Sequence, residues 1–317
     1  MMSDTHVIFG TGPLGQSVMR ELVRRGRPVR VVNRSGTAAV PAGVEVVRAD
    51  ALNPQSARAA VEGAAVVYQC AMPPYEQWVE AFPPLHTGIL EAAEHAGAAF
   101  IFGDNLYMFG PVDGPISEDL TYGAQSGKPG TRAQLARQTQ AALDQGRVSA
   151  AMVRGSDFFG PGVTGSHMGE RVFGFLLQGK PASVLWKTDQ PHTYTYIEDI
   201  AQAMVNVAEA PDSHGRAWHV PAAETLTTEQ FISLIGEEMG QPVRFNAMSD
   251  LMRNLLGVFV PVLREMREVT YQFNQPFVID GSDYLARFAA PPTPLREAIR
   301  ATVAWYQDEW AGAAPSR

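Results

Sequence analysis

The sequence is poor in cysteine and in long apolar runs, and both absences narrow the classes of protein that it can encode. Cys70 is the only cysteine among 317 residues, so no disulfide can form within the chain, and we expect a reducing, cytoplasmic compartment. No stretch approaches the roughly 20 apolar residues that a membrane span needs. The apolar run 6–10 is too short for the core of a signal peptide.

An excess of basic residues is also lacking. The 25 Lys and Arg residues are outnumbered by 33 Asp and Glu residues, and the formal net charge is -8. A nucleic-acid-binding surface needs a clustered basic face, and no spacing of His, Asp or Glu matches a metal site. We therefore expect a small-molecule partner rather than a nucleic acid or a membrane, and no bound metal.

Short apolar runs alternate with helical patterns through the first half of the chain. The runs occupy residues 6–10, 28–32, 44–47, 65–68, 99–102 and 149–153. Continuous apolar strands separated by helices are typical of a parallel sheet that is covered on both faces. Right-handed crossovers make such a sheet doubly wound. The sequence therefore predicts an α/β fold of the Rossmann type.

The alternation ends after Arg154, and from about residue 222 onward the pattern is mainly helical. We predict a dinucleotide-binding domain formed by residues 1–159 and 190–221, and a smaller, mainly helical substrate-binding region formed by residues 160–189 and 222–317. Thr227 and Gln230 form a capping box at the start of a helix. An apolar stripe in the second region is interpreted as a lid, a core face or a subunit contact; its members are Met252, Leu255, Leu256, Val260 and Leu263.

The sharpest motif is Gly10-Thr11-Gly12-Pro13-Leu14-Gly15, a G-x-G-x-x-G between the first strand and the first helix. Its glycines permit a tight turn, close approach of the backbone to a diphosphate, and close packing of helix on sheet. The free amides and the dipole of the helix then bind the phosphates. The alternative is a plain strand-to-helix turn.

Two positions after later strands bear on the choice of cofactor. An NAD site usually has an acid about twenty residues past the glycines, but this sequence has Asn33-Arg34-Ser35 there. Arg34 could pair with a 2′-phosphate, which favours NADP over NAD, or it is a solvated loop residue. Asp50, after the third strand, either meets the adenine edge or caps a turn or helix.

These features resemble the extended and atypical short-chain dehydrogenases/reductases, including the NAD-dependent epimerase/dehydratase group. The resemblance covers nearly the whole chain and also rests on Cys70-Ala71-Met72, on the segments 104–110 and 154–162, and on Tyr196-Ile197-Glu198-Asp199. It implies an oxidoreductase or epimerase. It also implies a set of cofactor-binding residues: Gly10, Gly12, Pro13, Leu14, Gly15, Asn33, Arg34, Asp50, Ala51, Cys70, Ala71, Met72 and Gln134.

The sequence departs from this family at its proton relay. Members usually carry a Ser or Thr after the fifth strand and a Tyr-x-x-x-Lys on the next helix, with both side chains on one helical face. No tyrosine of this chain has a lysine four residues on. Counting through the motifs puts the serine position on Asn105, the tyrosine position near Gly130 and the lysine position near Gln134.

Replacement chemistry is predicted in the loop after the fifth strand. Asn105 could donate a hydrogen bond to a substrate carbonyl, and Tyr107 could donate a proton if a cation, Lys128 or Arg132, lowers its pKa. The alternative is that Tyr107 packs and that Asp104 and Asn105 only shape the turn.

Residues at the ends of other strands are candidates for a substrate pocket, namely Tyr75, Trp78, Asp157 and His192. An aromatic residue alone is more often a core residue than a ligand contact. Two functions remain open: an NADP-dependent oxidoreductase or epimerase-like enzyme acting on a small organic carbonyl or alcohol, and a non-catalytic NADP(H) sensor. A homodimer would form through helices 85–95 and 132–143, or those faces are solvated.

Overall fold

The computed structural model describes residues 4–248 and 266–313 of the chain. Within these two ranges, no helix has the length and apolarity required to cross a membrane. The apolar stripe Met252, Leu255, Leu256, Val260 and Leu263 lies outside the described residues.

The main feature is a seven-stranded sheet in which every strand pair is parallel. Its strands are β1 Thr5–Phe9, β2 Val29–Asn33, β3 Glu45–Arg48, β4 Ala64–Gln69, β5 Ala99–Asp104, β6 Ala150–Arg154 and a last strand Ala217–His219. The last strand, Ala217–His219, forms one edge of the sheet and pairs with β6. From there the spatial order is β6-β5-β4-β1-β2-β3. The order therefore reverses between β1 and β4, which confirms the predicted doubly wound sheet and puts the ligand crevice at the carboxyl ends of those strands.

Helices follow the strands of this sheet in chain order. They are α1 Pro13–Arg24, α2 Pro54–Ala60, α3 Trp78–Ala96, α4 Gly127–Asp144 and a further helix Ile197–Ala208. Helix α1 buries Val18, Met19 and Leu22, spaced so that they share one face of the helix. Apart from the edge strand β3, which has no buried residue, the strands are buried at most positions, because helices cover both faces of the sheet.

A second group of elements is mixed in type. It contains a three-stranded sheet of Asp157–Phe159, Pro191–Tyr196 and Thr225–Thr227, a pair of short parallel strands Ala182–Val184 and Phe245–Ala247, and helices Phe175–Leu177, Thr228–Met239, Tyr271–Asn274, Ser282–Phe288 and Leu295–Ala313. A π-helix, Gly169–Gly174, runs directly into the first of these helices. The predicted capping box of Thr227 and Gln230 is confirmed.

The chain divides into two compact units. The first comprises Met1–Phe109, Thr121–Arg154 and Ile200–His219, and the second comprises Gly110–Leu120, Gly155–Asp199 and Val220–Arg317. The first unit holds the seven-stranded sheet, and the second holds the two small sheets. The division into a dinucleotide-binding and a substrate-binding region at residues 159, 190 and 221 concerns separate roles and stays a prediction.

Candidate functional site

In the glycine-rich loop after β1, close packing requires glycine at two positions, each for its own geometric reason. Gly10 has φ +105°, and a Cβ there would lie 2.6 Å from the amide nitrogen of Ala71. A Cβ on Gly15 would lie 2.0 Å from the carbonyl oxygen of Gly10. Only glycine therefore lets the loop, the end of β4 and the start of α1 pack this closely.

Gly12 differs, because nothing lies within 4 Å of the place where its Cβ would be. The residue is the N-cap of α1, with no side-chain cap and no acidic residue in the first turn. The first-turn amides of Leu14 and Gly15 lack carbonyl partners within the helix, and the positive end of the helix dipole lies there. Open space over these amides fits a diphosphate, so the residues present fit a dinucleotide.

Asn33, at the end of β2, braces the loop that follows. Its Oδ1 accepts hydrogen bonds from the Ser35 hydroxyl at 2.9 Å and from the amide of Gly36 at 2.7 Å. Its Nδ2 donates to the carbonyl oxygen of Thr37 at 2.8 Å and to Thr11 Oγ1, in the glycine-rich loop, at 3.1 Å. The side chain of Arg34 is exposed.

The predicted positions after β3 and β4 have different environments. Asp50 is exposed, and its Oδ1 accepts from the amide of Leu52 at 3.0 Å, so it is a turn residue, while Asn53 is the N-cap of α2. Ala51 is buried. Burial also raises the pKa of the Cys70 thiol. Met72 is exposed, and Ala71 faces Gly10 as described above.

A buried charge cluster terminates β5. Arg132 donates to Asp104 Oδ1 at 3.0 Å, and Arg154, at the end of β6, approaches Oδ2 at 3.4 Å. All three side chains are buried. Burial lowers the pKa of Arg132, and the Asp104 carboxylate and Tyr107 oppose this shift. One carboxylate thus holds two guanidinium groups beside Asn105.

Asn105 itself is oriented by the backbone. Its Oδ1 accepts a hydrogen bond from the amide of Tyr107 at 3.1 Å, which leaves Nδ2 as its donor end. Tyr107 is partly buried, and its ring centroid lies 6.1 Å from that of Trp78. The two residues for which catalysis was predicted are therefore neighbours at the carboxyl end of β5.

Helix α4 directs two basic side chains toward this cluster. The residue of α4 that is predicted to bind the cofactor lies on a different face of the helix. Lys128 and Arg132 lie one turn apart and are 3% and 5% exposed, whereas Gln134 is on the exposed face. Counting along the sequence puts the relay positions near Gly130 and Gln134, whereas the basic residues that the helix buries are Lys128 and Arg132. Binding of the cofactor by Gln134 stays a prediction. The face is set by packing, because the Arg132 guanidinium lies 4.4 Å from the Trp78 ring centroid.

The predicted substrate residues fall into two groups. In the first unit, Tyr75 lies under Lys128 Nζ, 4.5 Å from the ring centroid. Trp78 is 4% exposed and donates from Nε1 to the carbonyl oxygen of Pro73, so it is a core residue. Its ring centroid lies 5.0 Å from that of Tyr75.

In the second unit, Asp157 and His192 contact each other. His192 is 1% exposed, with Nε2 at 2.8 Å from Asp157 Oδ2 and Nδ1 at 3.1 Å from the carbonyl oxygen of Gln272. These two contacts hold the buried imidazole ring in one orientation, between the Asp157 carboxylate and the Gln272 carbonyl.

Comparison with known proteins places this site in a family. The family model for NAD-dependent epimerases and dehydratases matches residues 7–220, about two thirds of the chain. The chain belongs to the NAD-dependent epimerase/dehydratase family. The predicted resemblance is thereby confirmed, and membership supports an enzyme of the epimerase type that uses a nicotinamide dinucleotide. No curated protein sequence matches the chain.

Solved structures of epimerases share the fold at low sequence identity. A UDP-N-acetylglucosamine 4-epimerase from Methanobrevibacter ruminantium is 15% identical, with a TM-score of 0.79, and the match covers 98% of this chain and all of that one. A UDP-glucuronic acid 4-epimerase from Bacillus cereus, in complex with UDP-glucuronic acid and NAD, is 18% identical, with a TM-score of 0.78 and coverage of 96% and 99%. An epimerase from Methanothermobacter thermautotrophicus has a TM-score of 0.81 at 14% identity, with coverage of 99% and 95%.

Proposed function

We propose that the chain is an NADP-dependent oxidoreductase or epimerase-like enzyme that acts on a small organic carbonyl or alcohol. The observation that carries the proposal is the glycine-rich loop, where close packing at Gly10 and Gly15 leaves open space over Gly12. When bound there, the cofactor supplies hydride transfer. The diphosphate would be held by the first-turn amides of α1, and Asp50, Ala51, Cys70, Ala71 and Met72 would lie along the rest of the cofactor.

The preference for NADP rests on the end of β2. A carboxylate that accepts a hydrogen bond from the ribose 2′-hydroxyl is usual in NAD sites, but residues 33–44 include no acid. Both ends of the Asn33 amide already bind the loop. Arg34 follows directly and supplies a permanent cation for a 2′-phosphate. The Bacillus cereus epimerase contains NAD, so the preference proposed here distinguishes this chain from that protein.

The chemistry is assigned to Asn105 and Tyr107. Asn105 Nδ2 would donate to the substrate oxygen and stabilise the negative charge that develops on it during hydride transfer. Tyr107 would exchange a proton with the same oxygen through its hydroxyl, and Arg132 lies close enough to interact electrostatically with that hydroxyl. An Arg–Tyr pair would then replace the missing Tyr-x-x-x-Lys.

Tyr75 is proposed as a substrate-facing group of the first unit. Asp157, hydrogen-bonded to His192, is proposed as that of the second unit. Asp157 is the more accessible member of that pair, so its carboxylate would accept a hydrogen bond from a substrate hydroxyl or amine. UDP-sugars, found in the similar structures, belong in the first panel of test compounds.

A non-catalytic NADP(H) sensor is the second candidate function, and the absence of the Tyr-x-x-x-Lys pair favours it. The two functions are distinguished by substrate turnover, because an enzyme converts a substrate and a sensor only binds the nucleotide. Turnover of a broad panel of UDP-sugars, carbonyls and alcohols is measured through NADPH absorbance. If the protein binds NADP tightly but turns over none of these compounds, the sensor is favoured.

The variant Gly12→Ala tests the cofactor site. Its φ of -72° suits alanine, and the Cβ meets no protein atom, so we expect an unchanged free energy of unfolding. The methyl group would occupy the space of the diphosphate, and we expect about a 100-fold rise in the Kd for NADP, or about 2.8 kcal/mol. Isothermal titration calorimetry and urea unfolding measure the two quantities.

Gly165→Ala is the matched control, because a Cβ there also meets nothing within 4 Å and the loop lies in the second unit. It should leave both quantities unchanged. If Gly12→Ala binds NADP as tightly as the unmodified protein does, the diphosphate is not held at the start of α1 and the proposal fails.

A further inference from the structure

The register of β2 on β3 leaves one end of this strand pair charged. Arg30 pairs with Glu45 at one end, and Asn33 pairs with Arg48 at the other. Arg30 is neutralised, because its Nε lies 2.6 Å from Glu45 Oε2. At the carboxyl end, Arg48 faces an amide rather than an acid.

The same register places Arg48 on the cofactor side of the sheet. Neighbouring residues of paired parallel strands project from the same face. Asn33 projects toward the glycine-rich loop, since its Nδ2 reaches Thr11 Oγ1 at 3.1 Å. The side chain of Arg48 therefore leaves the sheet on the face that carries this loop.

The loop after Asn33 folds against the base of Arg48. A Cβ on Gly36 would lie 2.8 Å from Arg48 Cβ, and Gly36 has φ +72°. Arg34 and Arg48 thus border the same short loop, which Asn33 holds in shape through the amide of Gly36 and the carbonyl of Thr37.

Both arginines lack a partner in the part of the chain that the structure describes. Arg34 and Arg48 are exposed and make no hydrogen bond or ion pair with residues 4–248 or 266–313. A dianionic phosphate beside this loop would accept charge-assisted hydrogen bonds from both guanidinium groups.

We infer that Arg48 and Arg34 form a two-arginine clamp for the 2′-phosphate of the cofactor, with Asn33 as the brace of the clamp rather than a ribose ligand. The inference rests on the proposed dinucleotide function and deepens it. Arg34 follows the strand end that faces the ribose in this fold, and Arg48 approaches the same position from β3. Two solvated surface arginines are the competing interpretation.

The test measures binding of NADP, NAD and adenosine 2′,5′-bisphosphate by isothermal titration calorimetry. Arg48→Gln and Arg34→Gln should each raise the Kd for NADP and for the bisphosphate about tenfold, the loss of one charge-assisted contact. The Kd for NAD should change by less than about twofold, because NAD has no 2′-phosphate. Arg58→Gln, which removes an exposed cation on α2, is the matched control and should change none of the values.

The outcomes separate the clamp from the proposed function. If Arg48→Gln leaves the Kd for NADP unchanged while NADP still binds, the clamp is wrong and the dinucleotide site stands. If Arg48→Gln weakens NAD and NADP equally, Arg48 acts on the fold or on the shared part of the cofactor, and the clamp is again wrong. If the unmodified protein binds neither nucleotide, the proposed function itself fails.

Discussion

At the residue scale, the orientation of Asn105 decides what it can do. An amide has one accepting end and one donating end, and the Tyr107 amide proton occupies the accepting end. The donating end is therefore the one available to a substrate oxygen. A serine at this position would offer a hydroxyl that can rotate, whereas the amide is fixed as a donor by the backbone of its own loop.

This orientation gives a prediction for catalysis. Tyr107→Phe should lower kcat by about 100-fold or more with the Kd for NADP unchanged, because proton transfer typically contributes that much. Asn105→Ala should lower kcat by a similar factor, the usual effect of removing one oxyanion donor. Steady-state kinetics with a turned-over compound of the panel, together with calorimetry, measure both effects. An unchanged kcat in Tyr107→Phe would remove this tyrosine from the mechanism.

The residues of the site differ in how far the sequence reveals them. Gly10, Gly12 and Gly15 could be predicted because their spacing is local and each spacing has a geometric reason. Arg34 was visible for the same reason, as the next residue after a strand end. Arg48 has no such local signal, because its place beside Asn33 depends on the pairing of two strands, and no local pattern encodes that register.

At the scale of elements, helix α4 shows how packing selects a buried face. The sequence of this helix is nearly uniform in polarity around its circumference, so periodicity alone does not identify the inward side. Contacts with α3 and β5 determine which face of α4 is buried. The Arg132 guanidinium stacks on the rings of Trp78 and Phe82, and it bonds the Asp104 carboxylate. The counted position, Gln134, consequently lies outside.

The element-scale prediction concerns the stability of this contact. Arg132→Met should lower the free energy of unfolding by about 3 kcal/mol, because removing one partner leaves a buried charge poorly compensated. Arg154 remains, but at 3.4 Å from the other carboxylate oxygen. Gln134→Ala, on the exposed face of the same helix, should change stability by less than about 0.5 kcal/mol. Equal effects of the two variants in urea unfolding would contradict the assigned face.

At the scale of the whole molecule, the parallel sheet could be predicted and the second unit only in part. Runs such as Val7–Phe9 and Phe100–Phe102 are continuously apolar because both faces of their sheet are covered. Ala182–Val184 and Phe245–Ala247 are three residues each and far apart in sequence, so neither has enough length for a periodic signal. The predicted mainly helical region therefore also contains this strand pair and the strand Thr225–Thr227.

The stability of the protein should also depend on pH through its buried histidines. His86 is fully buried between Gln69 and Thr139, and burial, assisted by the nearby Arg132, lowers its pKa to about 3. Its pKa in the unfolded chain is about 6.5. Between these two values the unfolded state takes up a proton that the folded state does not, so stability decreases as the pH falls.

The window from pH 7 to pH 5 spans the pKa of His86 in the unfolded chain. His86 alone should cost about 2 kcal/mol of unfolding free energy across it, and His6, whose pKa burial lowers to about 4, adds in the same direction. Glu21 and Glu209 have pKa values lowered below 4.5 by their arginine partners, so their stabilising contribution is lost only at lower pH. Urea unfolding of the protein and of His86→Gln at both pH values is the measurement. The variant should lose about 2 kcal/mol less on acidification than the unmodified protein, and an equal loss in both would mean that folding does not lower the pKa of His86.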